Sequence, residues 1–295
     1  MGQAQRIATG SIAVGIAVLS LKIGAWWVTG SAALFSDAME SMVNVAAALL
    51  ALFALRLSAV PPDANHPYGH TKVEFLSAVI EGVLIVVAAL EILDHAWDSY
   101  MHPRPLAALI PGIVLNGLAT VLNFTWAQVL LATARRTRSP ALRGDGRHLM
   151  SDVVTSSALL VGVAMVRLTG YAPLDPLLAA LAALYILTAG TFLIRDSVSG
   201  LMDAAPPAEV VERVQALVAE FASGAIEAHD MRMRGAGPTT FLDFHLVVPG
   251  SMTVAEAHAI CDRVEAALRQ EMQGMLTIIH VEPEGKVKNE GVRVR

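Results

Sequence analysis

Ionisable side chains are expensive inside apolar helices, at about 2.5–3.5 kcal/mol each on insertion scales, so each one asks for a reason. One apolar stretch carries Asp37, Glu40 and Asn44 within Ser36–Asn44. Glu40 and Asn44 are four residues apart, which puts both side chains on one helix face, and Asp37 lies one turn earlier on the same side. A later apolar stretch carries His148 and Asp152, also four apart. Two such pairs of oxygen and nitrogen donors on two helices can make one four-coordinate site for a divalent cation. The same residues have plainer uses. His148 follows Arg147 and could sit at an interface, Asn44 could join two helices by a hydrogen bond, and Glu40 could relay protons without a metal. Counting from the outer ends of the two stretches does not place Glu40 and His148 at equal depth.

Two further clusters offer metal ligands. Asp63, His66 and His70 give three donors in eight residues of a polar connection. Near the C-terminus, His229, His245 and His280 each fall on an expected strand, with Glu282 on the face of His280 and Asp243 on that of His245. His258 lies on an expected helix, one turn before Asp262. Ordinary surface histidines and a polar loop are the simpler readings of these two groups.

The elements that must hold these residues follow from composition. The 295 residues are 55% hydrophobic and 16% charged, with a mean hydropathy of +0.55. A soluble domain carries about 25% charged residues, so much of this surface must face lipid. A formal charge of −5 and a pI near 6.0 argue against a nucleic-acid partner. One cysteine, Cys261, excludes an intramolecular disulfide. Charged residues are about twice as dense after Pro206-Pro207 as before it. The expectation is a six-helix transmembrane domain over 1–205, a cytoplasmic α/β domain over 206–285 and a flexible tail over 286–295.

Six stretches approach the ~20 apolar residues that a span requires: 7–28, 32–57, 74–97, 106–134, 148–168 and 174–194. Gly30, Pro61-Pro62, Pro103 with Pro105, Pro140 and Gly170 punctuate them. Arginines crowd the fourth connection, so the positive-inside rule puts both termini in the cytoplasm. Lys22 interrupts the first stretch and no cleavage site follows, which argues against a signal peptide. The polar region has helical spacing over 207–222 and 253–272 and strand character over 226–234, 239–248 and 276–282. Its order is α-β-β-α-β.

The polar quartet on the second and fifth helices, the D-x-x-H-x-x-x-H loop and the histidine-bearing α/β tail together resemble the cation diffusion facilitator family. The likeness covers residues 5–285. It is closest to the bacterial branch that exports zinc and iron, through the runs Asn65–Glu74, Ala228–Arg234, Gly237–Thr239 and Ile278–His280. The resemblance implies that Glu40, Asn44, His148 and Asp152 form the transport site. It implies that Asp63, His66 and His70 form a loop site, and that His229, His245, His258, His280 and Glu282 form a cytoplasmic metal cluster at a dimer interface. It also implies a Lys72–Asp203 salt bridge between the domains. Implied with these are a homodimer in the bacterial inner membrane, protons as counter-ion, and a divalent transition metal as both substrate and regulatory ligand. Zinc comes first, then Fe2+, Mn2+, Cd2+ and Co2+.

The sequence departs from the family at the centre, where Glu40 and Asn44 replace the usual Asp or His and Asp. Asn44 supplies a neutral oxygen and cannot titrate. Asp37 stands near enough to supply a compensating charge. Greater oxygen content leans the site toward manganese or ferrous iron, while His148 pulls toward zinc. The expected activity is proton-coupled metal export with His148 and Asp152 carrying the exchanged protons, and not an enzymatic reaction. The alternatives are a membrane-anchored metal sensor and a metal-dependent membrane enzyme using the same residues on a metal-bound water.

Overall fold

The computed structural model describes residues 3–29, 32–102, 109–169, 171, 173–272, 274–288 and 291–294. Gly30, Pro103, Pro105 and Gly170, which punctuate the sequence, lie outside these. The chain forms two compact units, 1–198 and 199–295.

The first unit is built from six long helices: α1 (Gln3–Thr29), α2 (Ala32–Ser58), α3 (Val73–Met101), α4 (Leu109–Thr137), α5 (Pro140–Thr169) and α6 (Leu174–Leu201). Here α1 packs on α2 and α4, α4 packs on α5, and α3 packs on α2 and α5. One buried core joins Ala51, Leu52 and Leu55 of α2 to Ala127, Leu130 and Ala134 of α4 and to Ala141, Leu142 and Leu149 of α5. Its alanines, one or more from each helix, let the helix backbones approach, and its leucines fill the space between them. The same logic is sharper where α3 meets α6. A Cβ on Gly82 would lie 2.7 Å from Ile194, and one on Gly190 would lie 2.9 Å from Ile85. Large apolar side chains instead point outward, among them Phe53, Leu90, Ile110, Leu118, Val121 and Phe192.

Among the described residues, four helices are apolar over a spanning length: Thr9–Val28, Val73–Met101, Ile110–Thr137 and Ala179–Leu201. That is fewer than the six spans expected. Among the described residues α2 contributes the shorter apolar run Asn44–Ser58.

α5 starts earlier than its hydropathy suggests. The expected start was His148, and the helix begins at Pro140. Proline fits the first helical position, where its missing N–H has no partner to lose. Ser139 Oγ accepts from the Leu142 N–H at 3.3 Å and caps the helix. His148 therefore lies two turns inside α5.

The second unit holds α7 (Ala208–Phe221), β1 (Glu227–Ala236), β2 (Thr239–Val248), α8 (Val254–Glu271), β3 (Met275–Pro283), a short 3-10 turn and β4 (Val292–Arg293). The sheet order is β3-β2-β1-β4, with β1 and β2 antiparallel and β2 and β3 parallel. Val214, Leu217 and Val218 of α7 and Ile260, Val264 and Leu268 of α8 share one core with Ala228, Leu242, Phe244 and Leu246. α8 starts with a reciprocal Thr253–Glu256 capping box.

The tail expected to be flexible instead adds β4. Glu227 and Ala228 of β1 pair with Arg293 and Val292. The Lys288 N–H donates to Glu227 Oε1 at 3.2 Å, and Lys288 Nζ lies 2.5 Å from Asp230 Oδ2. The open edge of β1 supplies the ladder that composition alone did not reveal.

Candidate metal centres

The i,i+4 spacings do in three dimensions what they suggest on paper. Asn44 Nδ2 donates to Asp152 Oδ2, and Asn44 Oδ1 accepts from His148 Nε2. His148 Nε2 stands 4.0 Å from Asp152 Oδ1. Asn44, His148 and Asp152 are only 6%, 2% and 1% exposed. The α2–α5 contact thus brings three of the four expected residues together, with the Asn44 amide bridging both α5 ligands. Glu40 lies one turn before Asn44 on α2, and its side chain falls outside the described residues.

Asp37 is engaged by α1. Its Oδ1 accepts from Lys22 Nζ of α1 at 2.7 Å, with Lys22 1% exposed. The lysine that interrupts the first apolar stretch is therefore an ion-pair partner, and the pair locks α1 to α2. Removing one member would leave a buried charge uncompensated, at a cost of about 3–5 kcal/mol.

Asp145 is a site residue that hydropathy and spacing missed. It lies one turn before His148, and its Oδ2 accepts from Ser11 Oγ of α1 at 2.7 Å. Trp126 Nε1 of α4 donates to the same Ser11 oxygen at 2.8 Å. Asp145, Ser11, Ser41, Asn44 and Asn123 line a cavity of about 10 Å³, enough for about one water. The i,i+3 relation to His148 was a usable signal. It was hidden because Asp145 seemed to belong to a basic connection, whose Arg143 in fact pairs with Asp196 of α6 at 3.0 Å.

The loop ligands also converge. Asp63 Oδ1 accepts backbone N–H bonds from Asn65 at 2.9 Å and His66 at 2.7 Å. His66 Nδ1 is 3.4 Å and His70 Nε2 is 3.5 Å from the Asp63 carboxylate, and those two nitrogens are 3.0 Å apart. All three offer ligand atoms within 4.8 Å of one another. The His66 N–H bond is the main cause holding the Asp63 carboxyl below the ordinary carboxylate range. Gly69 completes the turn at φ 84°, where an L side chain would be strained.

In the second unit, strand register aligns the histidines in one row. His229 sits opposite His245, and His245 opposite His280. Their rings are 5.4 and 4.9 Å apart. His245 lies between Phe244 and Leu246, both in the core, so it faces the other side of the sheet. Glu282 reaches His229 at 3.2 Å, His245 at 3.4 Å and His280 at 3.9 Å.

Asp230 completes this cluster, and alternation along a strand would have placed it on the wrong face. A bulge interrupts the register between His229 and Arg232, and Asp230 takes φ 51°. The bulge re-aims the side chain, so that His229, Asp230 and His245 offer ligand atoms within 4.8 Å. Its hydrogen bond from Lys288 is the main cause holding the Asp230 carboxyl low. His258 stays apart. It is exposed on α8, beside Asp262 at 3.8 Å.

Residues 8–202 match the cation efflux transmembrane domain family, and residues 206–284 match the cation efflux protein cytoplasmic domain family. The chain belongs to the cation efflux family. Its members are transporters and not enzymes, and this chain is an integral membrane protein that exports metal cations. An uncharacterized transporter of Synechocystis is 40% identical over 273 residues, covering 92% of this chain and 88% of that protein. The cation-efflux pump FieF of Klebsiella pneumoniae is 33% identical over 282 residues, covering 96% and 93%. FieF of Escherichia coli is 32% identical over 288 residues, covering 98% and 95%. A solved zinc form of the transporter CzrB is 50% identical, covering 28% of this chain and 96% of that one, with a TM-score of 0.28.

Proposed function

We propose that this protein works as a homodimer in the bacterial inner membrane and exports a divalent transition metal in exchange for protons. Glu40, Asn44, His148 and Asp152 form the transport site in this reading, and both termini lie in the cytoplasm. The observation that carries it is the buried convergence of Asn44, His148 and Asp152. A carboxylate and an imidazole so far from water are costly unless they are used.

Metal binding requires deprotonated carboxylates and an imidazole nitrogen with a free lone pair, so loading releases protons. Without metal, the Asn44 amide satisfies both neighbours. As the ion enters, Asn44 gives up its contacts with His148 and Asp152 and turns its oxygen to the metal. Protonation of His148 and Asp152 from the far side then weakens the site and expels the ion. Three oxygen ligands and one nitrogen favour ferrous iron and manganese more than a site richer in nitrogen would. Zinc stays in the set, as His148 suggests.

Asp63, His66 and His70 form an outer cytoplasmic site. His229, Asp230, His245, His280 and Glu282 form a regulatory site in the tail domain, and the donor set suits a divalent transition metal. A metal held there neutralises acidic surface and draws two tail domains together, with His258 as a ligand reachable only after such association. Lys72 and Asp203 belong to this proposal as the tie between domains.

The test is metal uptake into proteoliposomes under a pH gradient. Full activity of both His148→Ala and Asp152→Ala would overturn the assignment. Competition among zinc, manganese, iron, cobalt and cadmium identifies the preferred ion.

A further inference from the structure

The segment that adds β4 also reaches the histidine row, and it does so at two points. The first is through its main chain. The Lys288 N–H donates to Glu227 Oε1 at 3.2 Å, and the same oxygen lies 2.9 Å from His229 Nδ1. Glu227 is only 2% exposed. A carboxylate on Nδ1 fixes the orientation of the imidazole and leaves Nε2 with a lone pair. His229 Nε2 is buried and has no hydrogen-bond partner among the described residues, as are Glu282 Oε2 and His245 Nδ1. Lone pairs that converge with no donor between them fit a metal ion.

The second point is the side chain. Lys288 Nζ lies 2.5 Å from Asp230 Oδ2. That same oxygen is the one 3.8 Å from His245 Nδ1. The ammonium is therefore held on a ligand oxygen that the bulge in β1 turns toward the row. Its carrier is anchored on both sides of the site, by the bond to Glu227 and by the pairing of Val292 and Arg293 with β1. An ammonium has donors and no acceptor, so it cannot join the ligand set. It repels a divalent cation and draws on the same carboxylate.

We propose that Lys288 is a tethered competitor for the tail metal site, its ammonium holding Asp230 Oδ2 until a divalent ion displaces it. The lysine thereby sets the metal concentration at which the site fills. A single fixed charge beside a shared carboxylate also favours a dication over a monovalent ion, because only the stronger charge repays the displacement. The proposal rests on reading the histidine row as a metal site. The main-chain bond to Glu227 survives substitution of the Lys288 side chain, so the charge can be removed without releasing the segment.

The experiment is zinc calorimetry on the full-length protein in detergent, with the tail component defined as the one that His245→Ala removes. Lys288→Met should tighten that component by about threefold, the scale of an exposed ion pair. Lys288→Arg keeps the charge and should leave affinity near that of the natural chain. In an Asp230→Asn background, Lys288→Met should change nothing, because the contested oxygen is gone. If Lys288→Met leaves the tail component unchanged or weakens it, the lysine is a bystander or a support for Asp230, and the competitor is overturned while the metal site stands. Tightening that persists without the Asp230 carboxylate overturns it as well. If His245→Ala removes no zinc component, the tail site itself fails and the competitor falls with it.

Discussion

The helical site and the tail cluster use the same chemistry, imidazole and carboxylate, but they assemble it differently. In α2 and α5 the ligands come from i,i+4 pairs on two helices, and all three described members are nearly inaccessible. In the tail they come from one register line across three strands, with a bulge turning Asp230 into the row. The helical site is enclosed by its packing, so an ion must be let in and out. The sheet site is open at its edge, where His280 is exposed, so an ion bound there would be within reach of solvent. One suits passage and the other suits sensing.

That contrast can be broken by substitution. The largest effect belongs to the helices: His148→Ala or Asp152→Ala should lower metal flux by more than about a hundredfold, beyond the 10–100-fold typical of outer-shell partners. Equal losses from tail variants would erase the distinction. Next, Lys22→Met strands the Asp37 charge and should destabilise the helical unit by about 3–5 kcal/mol. Thermal unfolding in detergent checks this, and the companion Asp37→Asn should restore most of the loss. In the tail, Asp230→Asn should weaken zinc binding by the full-length protein by about tenfold while flux at saturating metal stays within about twofold. Calorimetry and uptake on the same preparation separate the two.

The smallest effect concerns pH. The Asp63 carboxyl is held below its ordinary value of 3.8. A depressed pKa gives a contribution that is complete above the unfolded value and fades as pH falls through the folded one. Asp63 therefore stays charged between about pH 5 and 8, and any pH dependence of loop metal binding in that range comes from other ligands. Asp63→Asn should lower loop affinity without moving the midpoint of the pH profile.

Much of this was legible in the residues. The spacing of Asn44, His148 and Asp152 foretold a contact that the α2–α5 packing makes, and the histidines of the tail lay on the strands expected for them. What was not legible depends on the third dimension. The partner of Asp37 is Lys22, fifteen residues away on another helix, and nothing in the spacing selects it over the transport ligands. Asp230 faces the histidines only because the backbone bulges. Pro140 reads as a break in hydropathy yet serves as a helix start, which hid Asp145 in an apparent loop. Val292 and Arg293 form a strand only because β1 offers an edge.

The uneven distribution of polarity has a consequence for how the chain enters the bilayer. α2 and α5 each follow an apolar helix across a very short connection, α1 before the one and α4 before the other. Each packs against that predecessor. Left alone at a translocon, a helix carrying several ionisable groups partitions poorly into lipid. Entering as a hairpin, α2 brings Asp37 already matched by Lys22, and α5 brings a face already covered by α4. Insertion in pairs is the expected consequence, and a lesion in α1 or α4 should be felt first as failed insertion of the helix that follows it.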